Sequence, residues 1–502
     1  MTYIYATGLL HQPAIFVQRF RLASSSASKQ INLHFYTLTV MDNDKKRYVV
    51  TYSDSQTATE ALTETLGISA NEIEDGLEVM ASDRSITDAE VLHFDNLNTS
   101  VVSLTDEQKV QLESRPGVLE VIEDFEMHAL DVVTSNGDDA DLLNADVPTQ
   151  TPTMPGNLDQ QMYMRGYNDG YLAMKSRIKE LVEADKGNTA IDTDVQQPPV
   201  LRPGPVFPIP PILLPTQPIP WNISQIKAPG AWSRGIRGDG VKVAILDTGI
   251  ATHADLIISG GVSFISGVVS FNDDNGHGTH CAGITGARNN FIGVVGVAPR
   301  CKLFAVKVLS STGSGPFSGI VAGLGWALAN KMDVVSMSLG AVMPCQNAPT
   351  ALVNAIGQLL AAGCVVVAAA GNSNGDPNPV NRFVNVPGSI RGVIAVAATN
   401  QNNQIAPFSS RGGACNPVTV SAPGVSINST AHAPVNTYRV LSGTSMACPA
   451  VAGAAALLKQ RFPGISPANA RIKLMSTATD LGFPGNDPTF GAGLINCDLA
   501  TL

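Results

Sequence analysis

Short apolar runs recur through the second half of the chain, at Val241–Leu246, Leu303–Leu309, Val334–Leu339, Val365–Ala370 and Val393–Ala398. They are nearly continuous rather than alternating, the pattern of strands buried on both faces of a parallel sheet. Between them lie stretches with helical spacing, such as Gly319–Asn330 and Ala351–Ala362. This alternation predicts an α/β fold: a three-layer sandwich around a mainly parallel sheet, with its chemistry at the carboxyl ends of the strands.

The first half reads differently. Tyr48–Tyr52 is β-branched and aromatic, Thr57–Leu66 has helical spacing closed by Gly67, and Glu78–Ala81 and Val91–Phe94 read as further strands. Thr105-Asp-Glu-Gln108 is a capping box opening a second helix, which Pro116-Gly117 ends before a last strand, Val118–Phe125. The order β-α-β-β-α-β predicts a small ferredoxin-like α+β domain over residues 45–130. Residues 1–44 read as a leader, and 131–216 as an acidic then Pro-rich linker with one amphipathic helix at Gln160–Ala184. Residues 217–502 form the large α/β domain.

Composition narrows the function. The 502 residues exceed one core, and a net charge of −10 with pI near 5.3 argues against nucleic-acid or anionic-membrane partners. No apolar run reaches the roughly 18 residues of a spanning helix. Met1–Phe20 lacks early Lys or Arg and makes a poor signal peptide. The seven cysteines all fall in the second half without zinc-like spacing, and Cys281, Cys364 and Cys448 stand among small apolar residues, as buried thiols do.

Three residues carry candidate chemistry. Asp247 follows the first long strand, His277 stands in Asn-Gly-His-Gly-Thr-His, and Ser445 lies in Ser-Gly-Thr-Ser-Met-Ala-Cys-Pro, where a glycine turn breaks into an Ala-rich helix. Pro449 is expected in that helix's first turn, where a missing N–H is tolerated. Serine is nucleophilic near neutral pH only when a base takes its proton; imidazole suits that work, and a buried carboxylate fixes its tautomer. Singly, Gly-Thr-Ser is an ordinary helix cap and Gly-His-Gly a tight turn. Asp-Thr-Gly also occurs in aspartic proteases, but a second copy is absent.

Together, in the order Asp, His, Ser, these motifs resemble the subtilase family of serine proteases, and residues 45–130 resemble the chaperone propeptide of subtilisin-type enzymes. The resemblance implies a serine endopeptidase made as a self-processing zymogen, with Asp247, His277 and Ser445 as triad. It implies an oxyanion hole from Asn372 and the Ser445 N–H. Gly313-Ser314-Gly315 and Ser338-Leu339-Gly340 correspond to edges that grip an extended peptide, and Leu309, Phe317 and Ile320 to the apolar pocket four residues before the cut. Ala341, where the family often has glycine, and Asn385 would shape the pocket beside the scissile bond, and Ala450 replaces a frequent histidine. A structural Ca2+ is implied at Gln217, Asp255 and Asn290 with the carbonyls of Arg288, Ile292 and Val294. The propeptide would be cut between Leu130, in the pocket before the scissile bond, and Asp131, with Met127 four residues back. Partners are then protein or peptide substrates and the chain's own propeptide, on a monomer; the family is mostly secreted. An inactive peptide-binding relative and a transpeptidase or cyclase on the same fold are the alternatives; retention of Asp247, His277, Asn372 and Ser445 argues against the first.

Overall fold

The computed structural model describes residues 45–82, 90–130, 217–344, 347–413 and 417–502. The expected leader, linker and Gln160–Ala184 helix, together with Asp131, Cys345 and Cys415, lie outside these residues.

The N-terminal unit comprises β1 (Lys46–Tyr52), α1 (Ser55–Leu66), β2 (Ile73–Asp75), α2 (Gly76–Met80), β3 (Val91–Phe94), β4 (Thr99–Leu104), α3 (Asp106–Glu113) and β5 (Val118–Glu123). Its sheet runs β2-β3-β4-β1-β5. Local chemistry sets the helix ends. Asp54 accepts from the Thr57 N–H, and both arms of the Thr105/Gln108 capping box are made, each such cap contributing about 1 kcal/mol. The strand expected at Glu78–Ala81 is instead helix, because Asp75 accepts from the Leu77 and Glu78 N–H groups and starts α2; the strand lies just before it.

β6 (Glu126–Ala129) leads into the large unit, whose principal elements are β7 (Lys242–Asp247), β8 (Ile258–Ser263), α4 (His277–Gly286), β9 (Lys302–Lys307), β10 (Ser314–Pro316), α5 (Phe317–Ala329), β11 (Val334–Met337), β12 (Leu339–Gly340), α6 (Thr350–Ala361), β13 (Val365–Ala369), β14 (Ile394–Thr399), β15 (Val420–Pro423), β16 (Ile427–Thr430), β17 (Tyr438–Leu441) and α7 (Thr444–Arg461). Seven strands form the central sheet in the order β15-β14-β13-β11-β7-β9-β8, every neighbouring pair parallel. Alternate residues enter two cores. Val243 and Ile245 pack with α4 and α7, whereas Ala244 and Leu246 pack with α5 and α6. This is the expected three-layer sandwich. The run Val334–Leu339 divides at Ser338, where the backbone leaves the sheet for β12.

The N-terminal sheet covers α5 and α6. Val49, Leu92, Phe94 and Val101 share a core with Leu324, Ala327, Leu352 and Ile356. Two carboxylates meet N–H groups that lack helical acceptors at the helix starts: Glu120 accepts from Thr350 N at 2.6 Å, and Asp124 accepts from Ser318 N and Oγ at 2.8 and 2.6 Å. Among the described residues no helix is long and apolar enough to cross a membrane.

Candidate active site

Asp247 closes β7, His277 opens α4, and Ser445 is the second residue of α7; all three are buried. His277 Nδ1 lies 2.6 Å from Asp247 Oδ1, which also accepts from the Thr248 N–H at 2.7 Å. Ser445 Oγ lies 3.1 Å from the Ser338 carbonyl oxygen. Beneath the site, Cys281 on α4 reaches the Ser445 carbonyl at 3.4 Å, so the helices bearing His277 and Ser445 touch there.

Pro449 corrects one expectation. It stands inside α7 rather than in its first turn, so the carbonyl four residues earlier, that of Ser445, loses its helical N–H donor. Ser338 Oγ donates to that oxygen at 2.9 Å, with the Cys281 thiol as a second donor. The break in the ladder is therefore filled by the edge that grips the neighbouring strand. The cysteines behave as read: Cys281, Cys364 and Cys448 are buried, and burial pushes the Cys364 and Cys448 thiols up to about 12.

Asn372 follows β13. Its Nδ2 donates to the Leu130 carbonyl oxygen at 2.7 Å, and its Oδ1 accepts from Thr444 N and Oγ1 at 3.0 and 2.9 Å, which fixes the amide's orientation. Ser445 Oγ reaches the same Leu130 oxygen at 2.5 Å. Gly443 makes the approach possible, since a Cβ there would lie 2.8 Å from that oxygen.

Chain residues fill the cleft. β6 pairs antiparallel between β10 and β12, with Met127 opposite Gly315, His128 opposite both Ser314 and Gly340, and Ala129 opposite Leu339. Ala129 N donates to Gly313 O at 2.9 Å and Leu130 N to Ser338 O at 3.1 Å. Met127 is fully buried in one cluster with Leu309, Phe317 and Ile320, and Phe125 stacks on Phe317 with ring centroids 4.9 Å apart. A Cβ at Gly340 would lie 3.2 Å from Leu130 Cδ1 and 3.6 Å from Asn385 Cβ, so the Leu130 side chain packs against the bare face of Gly340.

The residues read as a calcium site also converge. Gln217 Nε2 lies 3.2, 2.7 and 2.6 Å from the carbonyl oxygens of Arg288, Ile292 and Val294. Asp255 Oδ2 accepts from Val294 N and the Tyr438 hydroxyl, while its buried Oδ1 has no hydrogen-bond partner among the described residues. Asn290 Nδ2 reaches Ala254 O at 3.4 Å, which brings it beside Asp255. The three carbonyl oxygens and the Asp255 carboxylate on the adjoining turn are ligands that suit a hard cation, and Gln217, whose Oε1 accepts from Asn290 N and Phe291 N, would join them through that oxygen once its amide is turned. Burial pushes the Asp255 carboxyl above its ordinary range, a cost that such a cation would offset.

Sequence reasoning missed Thr444, which orients Asn372, and the caps Glu120 and Asp124. Their partners lie 72, 230 and 194 residues away, so no local spacing signals them.

The model of the subtilase family matches residues 238–493. Subtilisin Savinase of Lederbergia lenta is 48% identical over 285 residues, 57% of this chain and 99% of that protein. Subtilisin DY of Bacillus licheniformis is 47% identical, again over 57% of this chain and 99% of its own length. An alkaline protease of Alkalihalobacillus alcalophilus is 48% identical, with 57% and 70% covered. With this sheet, this Asp–His contact and this serine at a helix start, the chain belongs to the subtilase family and is a serine-type endopeptidase.

Proposed function

We propose that the chain is a zymogen that cuts itself between Leu130 and Asp131, with residues 45–130 as propeptide and Ser445, His277, Asp247 and Asn372 as the machinery. One observation carries this: the Leu130 carbonyl oxygen sits on both Ser445 Oγ and Asn372 Nδ2. The strand pairing of β6 holds the Leu130 carbonyl against Ser445, the pre-positioning that an intramolecular attack needs.

In the proposed sequence Ser445 Oγ attacks the Leu130 carbonyl carbon as His277 Nε2 takes the hydroxyl proton. Asp247 holds Nδ1 and stabilises the imidazolium. Negative charge forming on the carbonyl oxygen is met by Asn372 Nδ2 and the Ser445 N–H at the start of α7. The C–N bond then breaks, His277 gives its proton to the Asp131 nitrogen, and water hydrolyses the acyl-enzyme. Other substrates enter as β6 does, with main-chain pairing to 313–315 and 338–340 and an apolar side chain against Leu309, Phe317 and Ile320. Gln217, Asp255 and Asn290, with the carbonyls of Arg288, Ile292 and Val294, would hold Ca2+, which when bound neutralises the Asp255 carboxylate. The protein chain itself ties Gln217 to the loop at 288–294.

N-terminal sequencing of the earliest processed form tests the reading. Asp131 is the expected first residue, and the Ser445→Ala variant stays full length; a first cut inside residues 185–216 overturns the placement.

A further inference from the structure

We infer that Asp273 is a positioning residue that sets the contact between His277 and Asp247. The inference rests on the catalytic reading above and adds a residue to it. Asp273 is 2% exposed. Its neighbour Asp274 takes the ammonium of the fully buried Lys307 at 2.7 Å, while Asp273 itself gathers neutral donors. Oδ1 accepts from Thr248 Oγ1 at 2.8 Å, Asn275 N at 3.0 Å and Gly276 N at 2.8 Å. Oδ2 accepts from Thr279 N at 2.9 Å and Thr279 Oγ1 at 2.6 Å.

These donors come from two places that the reaction needs in register. Asn275, Gly276 and Thr279 offer N–H groups at the start of α4, where helical acceptors are lacking, and α4 begins with His277. Thr248 is the first residue beyond Asp247. Its hydroxyl donates to Asp273 and accepts from Gly278 N at 2.9 Å, and its N–H donates to the Asp247 oxygen that faces His277. Thr279 Oγ1 accepts in turn from Ala251 N at 3.0 Å. Two hydroxyls thus couple one carboxylate to the strand exit and the helix start at once. The surfaces approach so closely that a Cβ on Gly278 would lie 2.2 Å from Gly249 O and 3.1 Å from Asp247 Cβ. A slip between β7 and α4 would therefore move His277 against Asp247 directly.

The side chain must accept through both oxygens. An asparagine would keep one acceptor and turn an NH2 group toward the Thr279 N–H, which also donates. Asp273 touches neither substrate nor reacting atoms in this arrangement; it acts through the His277–Asp247 pair.

The test compares Asp273→Asn, Thr248→Val and Thr248→Ser in the processed enzyme with a peptide substrate. For the first two, kcat falls roughly 10- to 100-fold with KM within about twofold, the pattern of misplaced catalytic groups. The low-field proton resonance between His277 Nδ1 and Asp247 broadens or moves upfield. Thr248→Ser, which keeps the hydroxyl, restores both readouts. An unchanged kcat and resonance, or a loss confined to the thermal midpoint, overturns the inference. So does failure of Asp273→Asn and Thr248→Val to fold while Thr248→Ser folds, since the network is then structural. Ser445→Ala measured alongside separates the two claims: if it still hydrolyses the peptide, the catalytic reading fails on its own account.

Discussion

Asn372 donates its side-chain amide to the carbonyl oxygen of Leu130 at 2.7 Å, held there by two hydrogen bonds from Thr444 to its own oxygen. The donor is oriented before any charge develops, so it needs no reorganisation during the reaction. Asn372→Ala should slow both self-processing and peptide hydrolysis by about 100- to 1000-fold, the size of loss that removal of such a donor causes in subtilisin itself. Single-turnover rates of the first cut check this; a loss under about tenfold would count against the assigned role.

Asp124 joins the N-terminal unit to the start of α5 through two hydrogen bonds to Ser318, and its buried side chain leaves both donors dependent on it. Asp124→Ala should therefore weaken docking of residues 45–130 by about 1–3 kcal/mol, the usual cost of leaving buried donors unsatisfied. Inhibition of the processed enzyme by the N-terminal unit added in trans should weaken roughly 5- to 150-fold. Equal inhibition by the variant would show that the apolar contacts alone carry the interface.

His93 gives the N-terminal unit a pH dependence. It is buried between Ser100 Oγ, 2.8 Å from Nδ1, and Asp95, 3.2 Å from Nε2. Burial lowers its pKa, only partly opposed by Asp95 and Asp75. The folded state thus favours neutral imidazole. Stability is full above the unfolded value of about 6.5 and is lost as pH falls from there toward the lower folded pKa, because the unfolded chain takes up the proton first. Protection factors at β3 and β4 of the Ser445→Ala protein, with the intrinsic exchange rate divided out, should fall below about pH 6.5, and His93→Gln should flatten that response. Identical pH profiles for the two proteins would rule His93 out as the cause.

Calcium removal should act on stability rather than chemistry. The three carbonyls around Gln217 lie in the loop at 288–294, and Asp255, on a separate turn, meets that loop by accepting from Val294 N. A cation bound only by the folded state stabilises it by mass action. Excess chelator should lower the thermal midpoint of the processed enzyme, and Asp255→Asn should lower it without further response to chelator. A midpoint indifferent to chelator contradicts the site.

The strand runs and the Asp, His and Ser motifs were legible because each is encoded within a few residues: apolar runs at Val243–Leu246 and Val334–Met337, and a glycine-bounded turn before Ser445. Asp273 and Asp124 could not be read this way. Both earn their place through partners on other elements, Thr248 25 residues away and Ser318 194 away. The misread strand at Glu78 and the misplaced Pro449 have different origins. They differ in kind: Asp75 caps α2 from two and three residues away, a local signal outweighed by the apolar content of 77–81, whereas Ser338 reaches the Ser445 carbonyl from 107 residues away.

The central claim is that Ser445 is the nucleophile. A serine-directed fluorophosphonate applied to the processed enzyme, followed by mass mapping of the modified peptide, tests it most directly. A single adduct on Ser445 is expected, appearing as hydrolysis disappears. An adduct on another serine with loss of activity, or full inhibition with Ser445 unmodified, would contradict it.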